Sequence, residues 1–377
     1  MRRHLAILTH MADRPANRQL HGAVTAPGAT LAGLLEERAI TQAELAVRMG
    51  VTPKFVNEVI SAKASITPTI ALALERALGV AADFWLAQDA RYQESKARKS
   101  AEAALEQDAG WLEELPLGEM RKFGWIREQE TARAYVNEGL RFFGVSSVSA
   151  WRNQYVNNTI AAAARRVADK VNAQTGAVAA WLRAGELRAA DIRCRPFSRR
   201  DFLSSLERCR NFSLLSSPRE LIERLTSIFA ACGVAVAFVR APRNCPVNGA
   251  VRWLSPHKAL IQLNLGFRTD DALWRSFFHY CGHLALHGKK MLFLEDGNID
   301  NEAERAAERF GADKLISPAD WTRLTYQVIN AASIAAFASD LGISPGIVLG
   351  RLQNEQLVAG SRFNELKIRY AWKKAGI

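Results

Sequence analysis

Apolar residues recur every three or four positions through much of the first hundred residues, as they do along amphipathic helices. The run TQAE, which begins at Thr41, has the form of a helix-capping sequence and predicts a helix over 42–49. Gly50 follows, where a left-handed glycine would end that helix. Thr52 and Pro53 then predict the start of a second helix. Its buried face is expected to contain Phe55, Val56, Val59 and Ile60.

Two short helices joined by a glycine-containing turn are the pattern of a helix-turn-helix. In that motif, residues at the start of the second helix contact base edges in the major groove of DNA, and residues at the helix ends contact phosphates. The candidates for base contacts are Thr52, Lys54, Asn57 and Glu58. The candidates for phosphate contacts are Gln42, Ser61 and Lys63. The alternative interpretation is a helical hairpin with a solvated polar face.

The helical pattern continues beyond this pair, with another capped helix between Thr67 and Gly79 and a further helix after it. Residues 30–92 resemble the Xre-type DNA-binding domain of HigA-like antitoxins and regulators, on the runs TQAELAVRMGVTPKFVNEVISAKASIT, ALALERALGV and FWLAQDARYQ. The resemblance implies a five-helix domain over 26–95 that dimerises on palindromic operator DNA. Residues 1–25 match nothing in that family and are interpreted as an N-terminal arm.

Residues 96–217 have a helical pattern throughout, with a charged, alanine-rich start and aromatic residues near the predicted helix ends. We interpret this middle segment as a structural helical spacer. A ligand-sensing or dimerising segment is the alternative.

Short apolar runs with β-branched residues follow after Pro218. They predict strands over 235–239, 251–254 and 260–264. The next predicted helix carries His279 and His283, four residues apart, so both imidazoles project from one helix face. This is the histidine pair of the H-E-x-x-H zinc motif, in which neutral imidazoles bind the metal.

A second helix, predicted over 301–315, contains Glu304, Ala307, Phe310 and Gly311. The order of strands, histidine helix and acidic helix resembles the ImmA/IrrE metallopeptidase family, whose second helix has the pattern Glu-x-x-Ala-x-x-Phe-(Ala/Gly). The run ISPGIVLGRLQ, near the C-terminus, is also typical of that family. The resemblance implies a zincin-like domain over 218–377, in which the metal ligands would be His279, His283 and Glu304.

The sequence departs from the motif directly after the first histidine, where Tyr280 replaces glutamate. That glutamate is the general base of H-E-x-x-H enzymes, whereas a phenol with a pKa near ~10 is a poor base at neutral pH. Loss of a general acid/base typically removes ~10²–10⁴-fold of rate. No carboxylate follows on this helix between Asp271 and Glu295. The sequence therefore predicts a degenerate domain without the familiar peptidase activity.

Three interpretations of the histidine pair stay open. The site retains a non-catalytic zinc, or it has lost the metal and satisfies both imidazoles by hydrogen bonds, or it belongs to an active hydrolase with another base. Zinc is the one cofactor that the sequence suggests, and only under the first and third interpretations. His287 is interpreted as a surface residue at the helix end, and Cys281 as a packed thiol.

Composition narrows the choice of partner and compartment. The 377 residues contain 50 Lys and Arg against 38 Asp and Glu, and this formal charge of +12 favours a polyanionic partner. The five cysteines form no CxxC pair, which is typical of reduced thiols in the cytoplasm. No run of ~18 apolar residues is present, so no membrane segment is expected.

Together these patterns predict a mainly α protein with a small α+β C-terminal domain. We expect a cytoplasmic, homodimeric transcriptional regulator or antitoxin of the HigA type that binds double-stranded operator DNA. Its C-terminal domain would be a pseudo-peptidase that senses a ligand or binds a partner, and a cognate toxin is the candidate protein partner. The alternative is a zinc-dependent ImmA/IrrE-type endopeptidase that cleaves a repressor or another partner protein.

Overall fold

The computed structural model describes residues 24–156, 175–288, 293–294 and 302–372, with the backbone alone at 293–294. Contacts divide the chain into two compact units, residues 1–107 and 108–377. The described residues are mainly helical and contain one small sheet. This confirms the predicted mainly α architecture. Residues 1–23 of the predicted N-terminal arm lie outside the described residues.

The described residues of the first unit form five helices, as predicted. They are α1 (Pro27–Glu37), α2 (Gln42–Met49), α3 (Pro53–Ile60), α4 (Pro68–Leu78) and α5 (Ala82–Gln107). Their apolar faces meet in one core, which includes Leu45, Ala46, Val56, Leu74 and Trp85. Threonine hydroxyls cap α2, α3 and α4 by accepting a hydrogen bond from the backbone amide three residues later.

The second unit contains the sheet and the remaining described helices. Those before the sheet are α6 (Leu117–Lys122), α7 (Ala132–Phe143), α8 (Val148–Tyr155), α9 (Thr175–Ala190), α10 (Arg199–Cys209) and α11 (Pro218–Ala230). The later helices are α12 (Asp270–Leu286), α13 (Glu302–Leu315), α14 (Pro318–Thr325), α15 (Ala331–Leu341) and α16 (Pro345–Asn354). Short 3-10 helices lie at Asp108–Glu114, Arg210–Leu214 and Asn364–Leu366.

Four strands form the sheet in the order β1-β3-β2-β4. They are β1 (Val234–Val239), β2 (Gly249–Ser255), β3 (Lys258–Asn264) and β4 (Phe293–Leu294). Strand β1 pairs with β3 in parallel, and β2 is antiparallel to both β3 and β4. The first three strands correspond to the three predicted ones, whereas the two-residue β4 was not predicted.

Helices cover both faces of this sheet. Val236 of β1 belongs to the main core together with Phe229 of α11 and Phe277 of α12. On the other face, the indole nitrogen of Trp181 in α9 donates to the carbonyl of Val239 at 3.0 Å. Every residue of β1 is therefore buried, as expected for a strand with a helix on each side.

Helix α9 packs the middle segment against the sheet. It is apolar nearly all round and largely buried, because it packs on the sheet with one side and contacts α7 and α8 with others. The side-chain amide of Gln262 in β3 donates to the carbonyl of Trp181 at 2.7 Å. The described part of the middle segment from Asp108 onward thus belongs to the same compact unit as the sheet.

Among the described residues, no single helix is long and apolar enough to cross a membrane. Helices α15 and α16 reach that length and composition only as a pair, and they are bent by 117° relative to each other.

A buried carboxylate ties the start of α12 to the C-terminal segment. Asp270 is fully buried, and it accepts hydrogen bonds from the hydroxyl of Ser344 and, at 3.0 Å, from the amide of Ile368. Burial raises the pKa of Asp270 to about 6, although the hydrogen bond from Ser344 opposes this shift.

We expect the free energy of unfolding of the second unit to fall as the pH rises from about 4 to about 6. In this window the folded Asp270 binds a proton that the unfolded chain has released, so raising the pH favours unfolding. The cost of ionising Asp270 is absent below about pH 4 and complete above about pH 6, where it is on the order of 2–3 kcal/mol.

Asp270→Asn removes the ionisation but keeps the size and one of the two acceptor oxygens, so this variant should lose that component of the pH dependence. Urea unfolding followed by tryptophan fluorescence across this pH range would compare the two proteins, since eight of the nine tryptophans lie in the second unit. Equal pH dependence in the parent and the variant would contradict the prediction.

Candidate functional site

The turn between α2 and α3 positions the first candidate surface. Gly50 ends α2 with a backbone φ of +67°, a left-handed conformation that glycine adopts without strain. Thr52 then caps α3, and its hydroxyl accepts a hydrogen bond from the amide of Phe55 at 3.2 Å. Val56 and Val59 are buried in the core of the first unit, so the opposite side of α3 faces solvent.

Lys54, Asn57 and Glu58 lie together on that side, because residues three and four apart share one face of a helix. The Lys54 side chain is 86% exposed, and its Nζ lies 3.9 Å from a carboxylate oxygen of Glu58. The structure thus brings three of the four predicted base-contacting residues onto one stripe. The fourth, Thr52, is exposed at the start of α3, where its hydroxyl already caps the helix.

The predicted phosphate-contacting residues lie at helix ends, and all three are exposed. Gln42 begins α2, Ser61 follows the last residue of α3, and Lys63 comes two residues later. The hydroxyl of Ser61 donates to the carbonyl of Asn57 at 2.8 Å. Ser61 therefore stabilises the end of α3, whereas Gln42 and Lys63 present an amide and an ammonium group to solvent.

The second candidate site depends on a close crossing of α12 and α13. Gly282 and Gly311 lie where the two helices meet, and a Cβ on either would come within 3.0 Å of backbone atoms of the other helix. Such a Cβ on Gly282 would lie 2.6 Å from the carbonyl oxygen of Ala307, and one on Gly311 would lie 2.9 Å from the amide nitrogen of His279. Small residues at the crossing thus let the helix backbones approach closely.

This approach brings His279, His283 and Glu304 into one cluster. The Nε2 atoms of His279 and His283 lie 3.1 Å apart, and each is also 3.1 Å from the Oε2 atom of Glu304. Both histidines are buried and Glu304 is half-buried. The structure therefore unites all three predicted metal ligands, with one atom from each at the corner of a nearly equilateral triangle.

The two histidines favour the ionised form of Glu304. Burial opposes this ionisation, but hydrogen bonds with His279 and His283 outweigh it and lower the pKa of Glu304 to about 2. Burial also lowers the pKa of His283, and the hydrogen bond to Glu304 only partly offsets this effect. At neutral pH the cluster thus holds an ionised carboxylate beside a neutral His283.

A further carboxylate, Glu308, contacts the other ring nitrogen of His279. Its Oε2 atom lies 3.3 Å from Nδ1 of His279, and its Oε1 atom accepts a hydrogen bond from Nε of Arg275 at 2.7 Å. Glu308 was not among the residues predicted for this site, because the H-E-x-x-H pattern places its carboxylate on the histidine helix. The available signal was its position four residues after Glu304, which places both carboxylates on the same face of α13.

Tyr280, which stands where H-E-x-x-H enzymes have glutamate, is fully buried in the main core. Its ring packs against Gly249 of β2 so closely that a Cβ on Gly249 would lie 2.2–2.5 Å from two ring carbons. The absence of a side chain at Gly249 therefore makes the room that the phenol ring occupies.

Two further residues lie near the histidine pair: Cys281 of α12, and His287, which directly follows that helix. His287 is half-buried, and its Nε2 lies 3.1 Å from the carbonyl oxygen of Ala303 at the start of α13, so it links the two helices and is less exposed than expected. Cys281 is fully buried, as expected for a packed thiol, and burial raises its pKa well above the usual value.

The helix-turn-helix family model matches residues 31–85, from α1 into the start of α5. These residues are therefore similar to the helix-turn-helix family. This confirms the predicted motif, and all seven predicted DNA-contacting residues lie inside the helix-turn-helix domain.

Two solved structures are similar to part of the chain. A protein assigned as an antidote of a plasmid maintenance system from Nostoc punctiforme is 32% identical, with a match that covers 22% of this chain and 91% of that protein at a TM-score of 0.22. An addiction module antidote protein of the HigA family from Coxiella burnetii is 24% identical, and its match covers 22% of this chain and 94% of that protein at a TM-score of 0.21. No curated protein sequence matches the chain.

The close crossing of α12 and α13, which brings the His–His–Glu cluster together, can be tested through the stability of the second unit. We expect Gly311→Ala to destabilise the second unit by about 1–3 kcal/mol, because the added methyl group would press on helix backbone that cannot rotate away. Urea unfolding followed by tryptophan fluorescence would measure the change.

Gly118→Ala is the matched control, since a Cβ on Gly118 of α6 would have no neighbour within 4 Å. The control should unfold at nearly the parent midpoint. If Gly311→Ala also unfolded at the parent midpoint, the helices would not cross as closely as the structure shows.

Proposed function

We propose that the protein is a transcriptional regulator of the antitoxin type that binds operator DNA through α3 of its helix-turn-helix domain. The stripe of exposed Lys54, exposed Asn57 and half-buried Glu58 carries this proposal, because these are three base-contacting side-chain types on the helix that enters the major groove in this motif. The positive net charge of the chain supports a polyanionic partner.

Each residue of the stripe has a role set by its chemistry. Lys54 would donate to guanine O6 or N7, Asn57 would bond adenine through its amide, and Glu58 would accept from the amino group of cytosine. Gln42 and Lys63 would contact phosphates and fix the register of the domain on DNA. Thr52 and Ser61 would act through the caps that they provide for α3.

The resemblance of residues 30–92 to HigA-like antitoxins extends the proposal to partners. Two copies of the chain would bind the two halves of a palindromic operator as a homodimer, and a cognate toxin would be the protein partner. Dimeric binding of half-sites also fits the motif, because one α3 helix covers only a few base pairs.

We expect the double variant Lys54→Ala with Asn57→Ala to bind the operator roughly 30- to 10⁴-fold more weakly, because each of the two lost base contacts contributes about 1–3 kcal/mol to discrimination. A mobility-shift assay with DNA from upstream of the gene, at fixed salt concentration, would measure the loss.

Lys99→Ala is the control, because it removes an exposed lysine from the far half of α5. Lys63→Ala should weaken binding to specific and unrelated DNA alike and reduce the salt dependence of binding. If the double variant bound the operator as tightly as the parent protein, α3 would not be the reading helix.

For the second unit we propose a pseudo-peptidase that holds zinc in the His–His–Glu cluster without hydrolysing peptides. The donor set fits, since two histidines and one glutamate are a known set of zinc ligands. The spacing fits as well, because ligands at ~2.0–2.1 Å from zinc in tetrahedral geometry lie about 3.3–3.4 Å apart, close to the observed 3.1 Å. Zinc at this site would supply a Lewis acid.

The residues around the cluster argue against peptide hydrolysis. The ring of Tyr280 is packed in the core against Gly249. Glu308 lies on the Nδ1 side of His279 and is held by Arg275, whereas the cluster lies on the Nε2 side. Neither Tyr280 nor Glu308 is therefore placed to take a proton from a molecule bound at the cluster. The unit would instead sense a ligand or bind a partner.

The second candidate function is a zinc endopeptidase that cleaves a repressor or partner, and the His–His–Glu donor set itself favours it. Metal analysis and a proteolysis assay on one preparation separate the two candidates. We expect about one zinc per chain, its loss in His279→Ala, and no cleavage of an unfolded protein substrate.

His257→Ala controls for the loss of a histidine as such, because His257 is exposed on the turn between β2 and β3. Proteolysis that depends on His279 would establish the endopeptidase. A chain without zinc would leave the hydrogen-bonded, metal-free interpretation of the cluster.

A further inference from the structure

We infer that Glu308 is a positioning residue, which holds His279 in the orientation and tautomer that direct its Nε2 lone pair into the His–His–Glu cluster. The inference rests on the proposed zinc-holding role of that cluster and assigns a function to a carboxylate outside it. Arg275 would act one step further away, by holding Glu308.

Contacts between α12 and α13 repeat at four-residue intervals along both helices. Arg275, His279 and His283 follow one another at four-residue spacing on α12, and Glu304 and Glu308 have the same spacing on α13. Glu308 contacts Arg275 and His279, and Glu304 contacts His279 and His283. Each carboxylate thus bridges two consecutive positions of the histidine helix, which fixes the relative registration of the two helices.

The two oxygens of Glu308 serve different partners. Oε1 accepts from Nε of Arg275 at 2.7 Å, and Oε2 faces Nδ1 of His279 at 3.3 Å. Both ring nitrogens of His279 therefore face carboxylate oxygens, Nδ1 that of Glu308 and Nε2 that of Glu304. With zinc bound in the cluster, Nε2 would give its lone pair to the metal, and the hydrogen of the neutral ring would lie on Nδ1, beside an oxygen that can only accept it.

The electrostatics agree with this role. The guanidinium of Arg275 lies 2.7 Å from Oε1 of Glu308, and this ion pair favours the charged form of the carboxylate behind His279. A carboxylate behind a metal-binding histidine fixes the ring and increases its basicity as a ligand, and removal of such a carboxylate typically costs 10- to 100-fold in metal affinity. Glu308 has the position and the charge for this function.

The test compares zinc affinities, measured by competition with a chromogenic chelator, in the full-length protein. Glu308→Ala should bind zinc roughly 10- to 100-fold more weakly than the parent. Glu308→Gln should recover part of the affinity, because its amide oxygen can still accept from Nδ1. Glu302→Ala, which removes an exposed carboxylate from the same helix, should bind as the parent does.

A second readout separates positioning from general support of the fold. With ¹⁵N-labelled histidine and bound zinc, the His279 ring of the parent should show a hydrogen on Nδ1 and a metal on Nε2, and that signature should be lost or broadened in Glu308→Ala. If Glu308→Ala lowers the folded fraction, the positioning role is judged from the zinc affinity and the ring signals of Glu308→Gln instead.

The possible outcomes are distinct. Equal zinc affinity and an unchanged His279 signature in the Glu308 variants would overturn the positioning role and leave the zinc cluster in place. A parent protein that binds no zinc would overturn the zinc cluster and this inference together, while DNA binding by the helix-turn-helix domain would be measured independently. Weakened binding in Glu308→Ala with partial recovery in Glu308→Gln would support the inference.

Discussion

The second unit depends on how closely α12 and α13 approach each other. Glycines on both helices remove the side chains that would hold the backbones apart, with Ala307 as the small residue between them. Because the helices lie so close, side chains of moderate length span the gap, and two glutamates of α13 reach the histidines of α12. Larger residues at the crossing would separate the charged and imidazole groups, and the cluster would lose its shape even with every one of its own residues unchanged.

Local signals made the first unit predictable. A threonine cap, a terminal glycine and a run of apolar residues at helical spacing each act within a few residues, and they give the bounds of α2 and α3 in the structure. The pairing of His279 with His283 was visible for the same reason. Glu304 was assigned by family resemblance, and the crossing of α12 and α13 then placed it beside both rings.

What the sequence did not reveal depends on contacts between distant segments. Nothing in the sequence of α13 distinguishes Glu308 from the other glutamates of that helix. Only the packing of α13 against α12 brings it into contact with a histidine. Helix α9 reads as one more apolar helix, but its near-complete burial comes from the sheet that forms much later in the chain. The two-residue strand β4 is too short to produce a periodic pattern.

The contact between Tyr280 and Gly249 has a consequence for how this chain can evolve. The phenol ring fills space that the glycine leaves open, so the two positions are coupled although they lie on different elements. A change of Tyr280 to glutamate would leave a void beside the strand and place a charged group in an apolar core, and both effects lower stability. Substitutions at positions 249 and 280 are therefore expected to be tolerated together more readily than singly.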